Sequence, residues 1–475
     1  MTNMNQRPNI VYIMADDMGW GDLGCYGALK TKTPNMDRIA ANGMRFLDMH
    51  SGSAVCTPSR YGVLTGRYCW RTWLKRAVLG GFGSPIIEPE RMTVASLLKE
   101  SGYRTAAIGK WHLGLDWWTR DGRPLRSLDR EAMSYDGFDV DYRRSVTGGP
   151  NDLGFDHWFG ISGSLDMPPY CFLENGRTVG VPAVEKTPYN PQQRKGLMVE
   201  GWRDDQVDIR FADEAARFID ECASVSPQKP FFLYLTPTAP HRPNVPPDFM
   251  LHASDGGLRE DMVMMVDWVV GRVLDALERH ALVENTLVMV TSDNGARATN
   301  FDGKDYGHKP NGDWRGQKAD IYEGGHREPF VAQWPGVIPA GERCSEPLVL
   351  NDFLATVADI LGRELPENAG EDSVSFLSLL RGERPGRPLH RVVIHHSLHG
   401  MFSVRIGDWK LIRGLGSGGF TEPSSYQAGD GGPGGQLYNI ADDSREMVNH
   451  WLKRQDVVQE FERILDGLVK EGRSR

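Results

Sequence analysis

Short apolar runs recur along the chain, and each ends in a cluster of polar residues able to do chemistry. Asn9–Ala15 (NIVYIMA) ends in Asp16–Asp17, and the run at 104–108 ends in Gly109–Lys110–Trp111–His112. Phe231–Thr236 (FFLYLT) is followed by Ala239–Pro240–His241, and 286–291 (TLVMVT) by Ser292–Asp293–Asn294. Uninterrupted apolar runs of this length suit strands buried on both faces of a mostly parallel sheet. Helical spacing fills the gaps: Pro34–Asn42 stops at Gly43, 93–101 starts at a Thr cap and stops at Gly102, and 204–222 and 258–280 are longer. The alternation predicts an α/β fold with a large, mostly parallel sheet between helices, and ligands beyond the carboxyl ends of its strands. One such cluster reads as a solvated turn. Four on four strand ends point to one site.

Patterns at 352–361 and 375–380 predict two late helices. The Pro/Gly/Arg-rich stretch 381–388 reads as a connection, followed by short strands at 391–396, Phe402–Ile406 and 409–413. A Gly/Ser/Pro-rich loop spans 414–435 before Leu437–Tyr438, and a helix near 457–469 closes the chain. We therefore expect a catalytic α/β domain over 1–385 and a small C-terminal α+β subdomain over 386–475, an antiparallel sheet with one helix.

Composition narrows the function. At about 150 residues per domain, 475 residues suggest three domains, one more than the pattern supports. With 40% apolar and 25% charged residues the chain is globular rather than disordered. Fifty-four Lys plus Arg against 63 Asp plus Glu give a net charge of −9, which argues against a nucleic-acid partner. The apolar runs are too short for a membrane span. Residues 1–8 are polar and show no signal peptide, so the expected compartment is cytoplasmic, or periplasmic or secreted if a leader has been removed. The six cysteines (25, 56, 69, 171, 222 and 344) contain no CxxC pair, so neither a disulfide framework nor a zinc site is expected.

Several apparent motifs fail. Gly414–Leu415–Gly416–Ser417–Gly418–Gly419 matches GxGxxG, but Phe420–Thr421–Glu422–Pro423 follows instead of a helix, so it reads as a loop. P-loop, HExxH and GxSxG motifs are absent. In His395–His396–Leu398–His399, neighbours on a strand face opposite ways, which suits a structural or substrate-rim role better than a metal site.

Asp16, Asp17, Asp293 and Asn294 are oxygen donors at strand ends, a set that selects a hard cation over zinc. The segment that decides the chemistry is Cys56–Thr57–Pro58–Ser59–Arg60 with Leu64–Thr65–Gly66–Arg67 after it. It resembles the type I sulfatase family of the alkaline phosphatase-like superfamily, in which this motif directs oxidation of the cysteine to formylglycine (3-oxoalanine). The likeness extends over nearly the whole chain. It includes Arg7–Pro8–Asn9–Ile10 through Gly19, Gly109–Lys110–Trp111–His112–Leu113–Gly114, the Pro240–His241 turn and Ser292–Asp293–Asn294–Gly295. Gly316–Gln317–Lys318, Glu323–Gly324–Gly325–His326–Arg327, Gly407–Asp408–Trp409–Lys410–Leu411 and Leu437–Tyr438–Asn439 continue it. Glu328, where a small apolar residue is common, and a looser tail after Tyr438 are departures.

The resemblance implies sulfate monoester hydrolysis by a formylglycine made from Cys56 by a formylglycine-generating enzyme. One hydroxyl of the hydrated aldehyde attacks sulfur, and the other later expels sulfate. It further implies Ca2+, with Mg2+ as the alternative, held by Asp16, Asp17, Asp293, Asn294 and modified Cys56. Arg60 would position the formylglycine, Lys110 and Lys318 would clamp sulfate oxygens, His241 would protonate the leaving alcohol and His112 would take the proton that triggers sulfate release.

For the substrate, Trp117–Trp118, Trp314–Arg315 and His326 lie close in sequence to these positions, and segment 71–85 is a candidate pocket wall. Trp314, Arg315 and His326 are the candidates for contact with a small sulfated substrate, a saccharide, with core packing as the alternative for the tryptophans. Two other readings stand beside this one. They are a phosphate or phosphonate monoester hydrolase of the same superfamily, and an inactive glycan-binding relative.

Overall fold

The computed structural model describes residues 7–127, 130–225, 229–298 and 303–475. Asn9–Ala15 runs at the centre of the large sheet, parallel to Thr286–Ser292 on one side and Phe231–Thr236 on the other. Arg104–Lys110 and His157–Ile161 extend the parallel block. Beyond Thr286–Ser292, Arg327–Gln333 and then Met44–His50 pair antiparallel. The short strands Glu342–Cys344 and Leu348–Val349 run parallel to Met44–His50, and the hairpin Leu173–Glu174 with Arg177–Thr178 closes the other edge. The sheet is mixed and mostly parallel.

Side chains alternate across a strand, so a run buried on both faces must be apolar throughout. Ile10, Tyr12 and Met14 enter one core with Phe46, Leu64 and Phe353. Val11, Ile13 and Ala15 enter the other with Ile39, Ile219 and Val266. Helices Cys56–Thr65, Val94–Glu100 and Phe353–Ile360 contribute to the first core, and Pro34–Asn42, Val207–Val225 and Leu258–Arg279 to the second. Thr93 caps its helix as expected: its Oγ1 accepts from Ser96 N at 3.0 Å while Ser96 Oγ accepts from Thr93 N at 2.9 Å. The pattern at 204–222 divides into a short turn, Asp204–Gln206, and the helix proper.

Val393–His396, Phe402–Ile406, Trp409–Ile412 and Gln436–Asn439 form a four-stranded antiparallel sheet, covered by helix Gln455–Glu471 through Val458, Phe461 and Leu465. This core also takes in Tyr68, Trp70 and Val349. The small sheet is tied to the large one at the site. Ala54 N donates to His396 O (3.0 Å), Ala319 N to Ala54 O (2.8 Å) and Leu398 N to Ala319 O (3.0 Å). Among the described residues no helix is long and apolar enough to cross a membrane.

Candidate active site

Strand register sets the site. Ala15 pairs with Ser292, so Asp16–Asp17 and Asp293–Asn294 leave adjacent strands at one level. Lys110 ends its own strand opposite Ile161. Gly109, at φ +117, lets that strand lie close to its neighbour, since a Cβ there would stand 2.1 Å from Thr236 O.

Cys56 opens a helix whose ten residues are all buried. Its Sγ lies 3.5 Å from Asp16 Oδ1 and 3.5 Å from Lys318 Nζ. Lys318 Nζ donates to Asp17 Oδ1 at 2.6 Å, and Lys110 Nζ donates to Asp16 Oδ2 at 2.6 Å and to Ser164 Oγ at 3.2 Å. Arg60, one turn along the helix from Cys56, meets Asp293 Oδ2 through Nε (2.8 Å) and Nη2 (2.7 Å) and donates from Nη1 to Lys110 O (3.1 Å). Asp17, His112 and Ala319 all have left-handed backbones, at φ 68, 57 and 79. Non-glycine residues hold such conformations where the surroundings over-determine them.

Electrostatics follow from burial and these partners. Burial pushes the Cys56 thiol up to about 12 against the pull of Lys110 and Lys318, so near neutral pH it is a protonated, weak nucleophile. Burial alone would raise Asp16, but Lys110 foremost, with His241, Arg60 and Lys318, holds it well below the usual carboxylate range. Asp293 is pushed up to about 6 by burial despite Arg60, with Asp16 and Asp17 adding like charge.

The histidines present defined nitrogens. His112 Nε2 meets Leu79 O at 2.7 Å and therefore carries the proton, leaving buried Nδ1 without a partner. Burial and then Lys110 hold its pKa well below the ordinary range, so it stands neutral. His241 places Nδ1 2.7 Å from Arg242 O and 3.1 Å from Ser164 Oγ, with Nε2 3.7 Å from Asp17 Oδ2. The turn before it is fixed by Asp208, which accepts from Thr238 N (2.7 Å), Thr238 Oγ1 (3.0 Å) and Ala239 N (3.1 Å).

The donor set fits a hard cation. Asn294 spends its Nδ2 on Asp17 Oδ1 (2.7 Å) and Gly295 O (3.0 Å), which leaves Oδ1 a buried acceptor with no hydrogen-bond partner. Asp16, Asp17, Cys56 and His241 each offer a ligand atom within 4.8 Å of the others. Three carboxylates and an idle amide oxygen suit an oxygen-seeking divalent ion.

The structure thus brings Asp16, Asp17, Cys56, Arg60, Lys110, His112, His241, Asp293, Asn294 and Lys318 into one cluster. It does not bring Trp314, Arg315 or His326 to the cavity above Cys56, which is lined by Asp17, His241, Arg242, Arg297, Lys318 and Phe420 among others. Trp314 instead lies under Arg327, whose guanidinium carbon is 3.9 Å from the ring centroid. Arg315 faces the C-terminal sheet, donating to Glu446 O and to Tyr438 Oη (3.3 Å). His326 is fully buried, stacked on His395 at 3.8 Å between centroids and 3.1 Å from His50. Trp117 is core, against Phe82 and Tyr142. His395 joins His326 and His50 while His396 faces Phe402, so the histidine run is split between faces as expected. Of segment 71–85, Leu79 reaches the site through His112.

Sequence reasoning missed Ser164, which bridges Lys110 and His241, along with Asp166, Arg242 and Phe420. Ser164 and Asp166 follow strand His157–Ile161. The strand-end rule applied to that five-residue run would have found them.

Known proteins resemble this chain in sequence and in fold. The family described as Sulfatase matches residues 8–363. An N-acetylgalactosamine-6-O-sulfatase of Bacteroides thetaiotaomicron is 31% identical over 98% of this chain and 93% of its own length. Human steryl-sulfatase is 31% identical over 82% of this chain and 71% of its own. A solved structure from work on the metabolism of multiple glycosaminoglycans by Bacteroides thetaiotaomicron superposes with a TM-score of 0.84 at 29% identity, covering 98% of this chain and 100% of that one. A sulfatase from Pseudoalteromonas sp. superposes at 0.76 with 26% identity, over 99% of this chain and 92% of its own.

Proposed function

Because the chain belongs to the sulfatase family and is a sulfuric ester hydrolase, we propose that it cleaves a sulfate monoester on a saccharide, using a formylglycine made from Cys56. The observation that carries this reading is the setting of Cys56. Its thiol is held protonated by burial, yet it stands 3.5 Å from both a carboxylate and a lysine ammonium at the head of a helix. As a thiol it is inert; as a hydrated aldehyde it would offer a hydroxyl for attack on sulfur and a second one for releasing sulfate. The bacterial N-acetylgalactosamine-6-O-sulfatase supports a saccharide as the carrier.

Asp16, Asp17, Asp293, Asn294 and the matured residue 56 would hold Ca2+, or Mg2+ in its place. A bound divalent cation supplies charge to polarise a sulfate oxygen and to lower the pKa of an adjacent hydroxyl. Lys110 and Lys318 turn from their carboxylates toward the sulfate and neutralise charge as the S–O bond breaks. Arg60 keeps Asp293 in place from the helix that carries the nucleophile. His241 keeps its Nδ1 proton on Arg242 O, so it acts as the acid in its imidazolium form, which the nearby Asp16, Asp17 and Asp166 carboxylates favour and which donates the Nε2 proton to the leaving oxygen. His112 has its Nε2 proton committed to Leu79 O, so its bare Nδ1 takes the proton whose loss re-forms the aldehyde.

The test compares turnover of 4-nitrophenyl sulfate and 4-nitrophenyl phosphate by protein made with a formylglycine-generating enzyme, with Cys56 oxidation checked by peptide mass. We expect sulfate to be preferred by about a hundredfold or more, roughly 3 kcal/mol in transition-state terms, and Lys318→Ala to lose a similar factor. Dominant phosphatase activity would overturn the sulfatase mechanism, and full activity in Lys318→Ala would remove that residue from the clamp.

A further inference from the structure

The cavity above Cys56 has a cationic and aromatic rim that the hydrolysis itself does not use. Arg242 follows His241 directly and is anchored from behind, its Nε 3.4 Å from Asp166 Oδ2. Asp166 is fully buried, and neither of its carboxylate oxygens has a regular hydrogen-bond partner among the described residues, so Arg242 is its counter-charge. The Arg242 side chain remains 26% exposed, at the cavity lip. Across the same lip, Arg297 lies with its guanidinium carbon 5.1 Å from the Phe420 ring centroid. Burial and then the like charge of Arg242 lower the Arg297 pKa, as expected for two cations bordering one space.

Phe420 comes from the glycine-rich loop that mimics a nucleotide motif, and it is held firmly. Asp320 Oδ1 accepts from Phe420 N (2.8 Å) and Thr421 N (3.0 Å), and its Oδ2 from Thr421 Oγ1 (2.5 Å). Asp320 is two residues from Lys318, so one turn sets both the sulfate clamp and the aromatic face. A second cavity of about 250 Å3 adjoins the first through Arg259 and Arg297 and continues to Tyr306 and His308.

Resting on the sulfatase reading, we propose that Arg242 and Arg297 bind a second anionic group of the sulfated saccharide, a carboxylate or a further sulfate, while Phe420 packs on a sugar ring. Guanidinium groups match planar or tetrahedral oxyanions through paired N–H donors, and an anion between the two arginines relieves their mutual repulsion. The preferred substrate is thus a polyanionic glycan, and a singly sulfated, otherwise neutral ester is a poorer one.

The test uses matched disaccharide pairs carrying the same scissile sulfate. In one arm the neighbouring sugar is a uronate or its methyl ester; in the other it carries a second sulfate or none. Both kcat/KM with Cys56-oxidised protein and calorimetric binding to Cys56→Ala protein are measured. In at least one arm the extra anion should improve both by about tenfold, less at high salt, and Arg242→Gln and Arg297→Gln should each shrink the gain to about twofold. The arm that responds identifies the anion. Equal handling of both members in both arms, or a gain that survives both substitutions, overturns the proposal. Thermal unfolding of the variants guards against misfolding. If neither the disaccharides nor 4-nitrophenyl sulfate release sulfate with Cys56-oxidised protein, the sulfatase mechanism fails by itself, and the calorimetric pairs still decide the rim.

Discussion

His396 is 1% exposed, and burial lowers its pKa to about 4 although Ser397 O accepts from its ring. An unfolded chain would protonate it near 6.5. Between these values the unfolded state binds the extra proton, so the contribution of neutral His396 is complete above about pH 6.5 and is lost as pH falls toward 4. A His396→Phe variant lacks that penalty. The stability of the wild type relative to the variant should therefore fall by about 2 kcal/mol between roughly pH 7.5 and pH 5, at about 1.4 kcal/mol per unit. Urea unfolding at the two pH values reads this directly, and a constant gap would contradict it. The catalytic candidates show how such single residues were legible. Asp16, Lys110, His241 and Asp293 end apolar runs, and Cys56 sits in a motif, so local sequence marks all of them. Arg315 and His326 were misjudged because closeness in sequence to a site residue says nothing about direction. Both turn toward the C-terminal sheet, where Tyr438, Glu446 and Lys410 receive them.

At the scale of elements, the central strands were readable because burial on two faces demands apolar residues at every position. Met44–His50 and Arg327–Gln333 escaped notice for the opposite reason. They carry Asp48, His50, Arg327 and Glu328 into the interior, where ion pairs and hydrogen bonds compensate them. The periodicity of these strands is masked by partners supplied from elsewhere in the chain. The loop 414–435 shows a similar dependence. Gly419 has no room for a side chain, since a Cβ would stand 2.3 Å from Ala319 O. Gly419→Ala should therefore push Phe420 off its seat on Asp320, costing about 1–3 kcal/mol and raising KM for saccharide substrates severalfold. Thermal unfolding and steady-state kinetics would measure the two effects. An unchanged KM would mean that the loop does not position the ring.

For the whole molecule, the joint between the two sheets is ionic as well as apolar. Lys410 Nζ lies 3.0 Å from Glu323 Oε1 and 2.9 Å from Glu446 Oε1, with every side chain fully buried. Arg327 links Glu323 (2.7 Å) to Asp48 (2.7 Å), and Arg405 reaches Asp48 from the small sheet (2.8 Å). Removing one partner from such a set leaves a buried charge uncompensated. Lys410→Met should cost about 3–5 kcal/mol, and adding Glu446→Gln should recover part of it. Chemical denaturation of the two variants checks both signs, and a Lys410→Met protein as stable as the wild type would show the network to be dispensable.

The enclosure of Cys56 also has a consequence in time. The residue is 2% exposed, at the head of a helix whose ten residues are all buried, so another protein's active site cannot reach it once the chain has folded. If Cys56 is matured to formylglycine as proposed, its oxidation would have to be finished before folding closes over it, and the two processes would compete from synthesis onward. On that reading, every molecule that folds first would stay in the thiol form for the life of that fold. The active fraction of a preparation would then be a record of which event came first, written once per molecule and not revised afterwards.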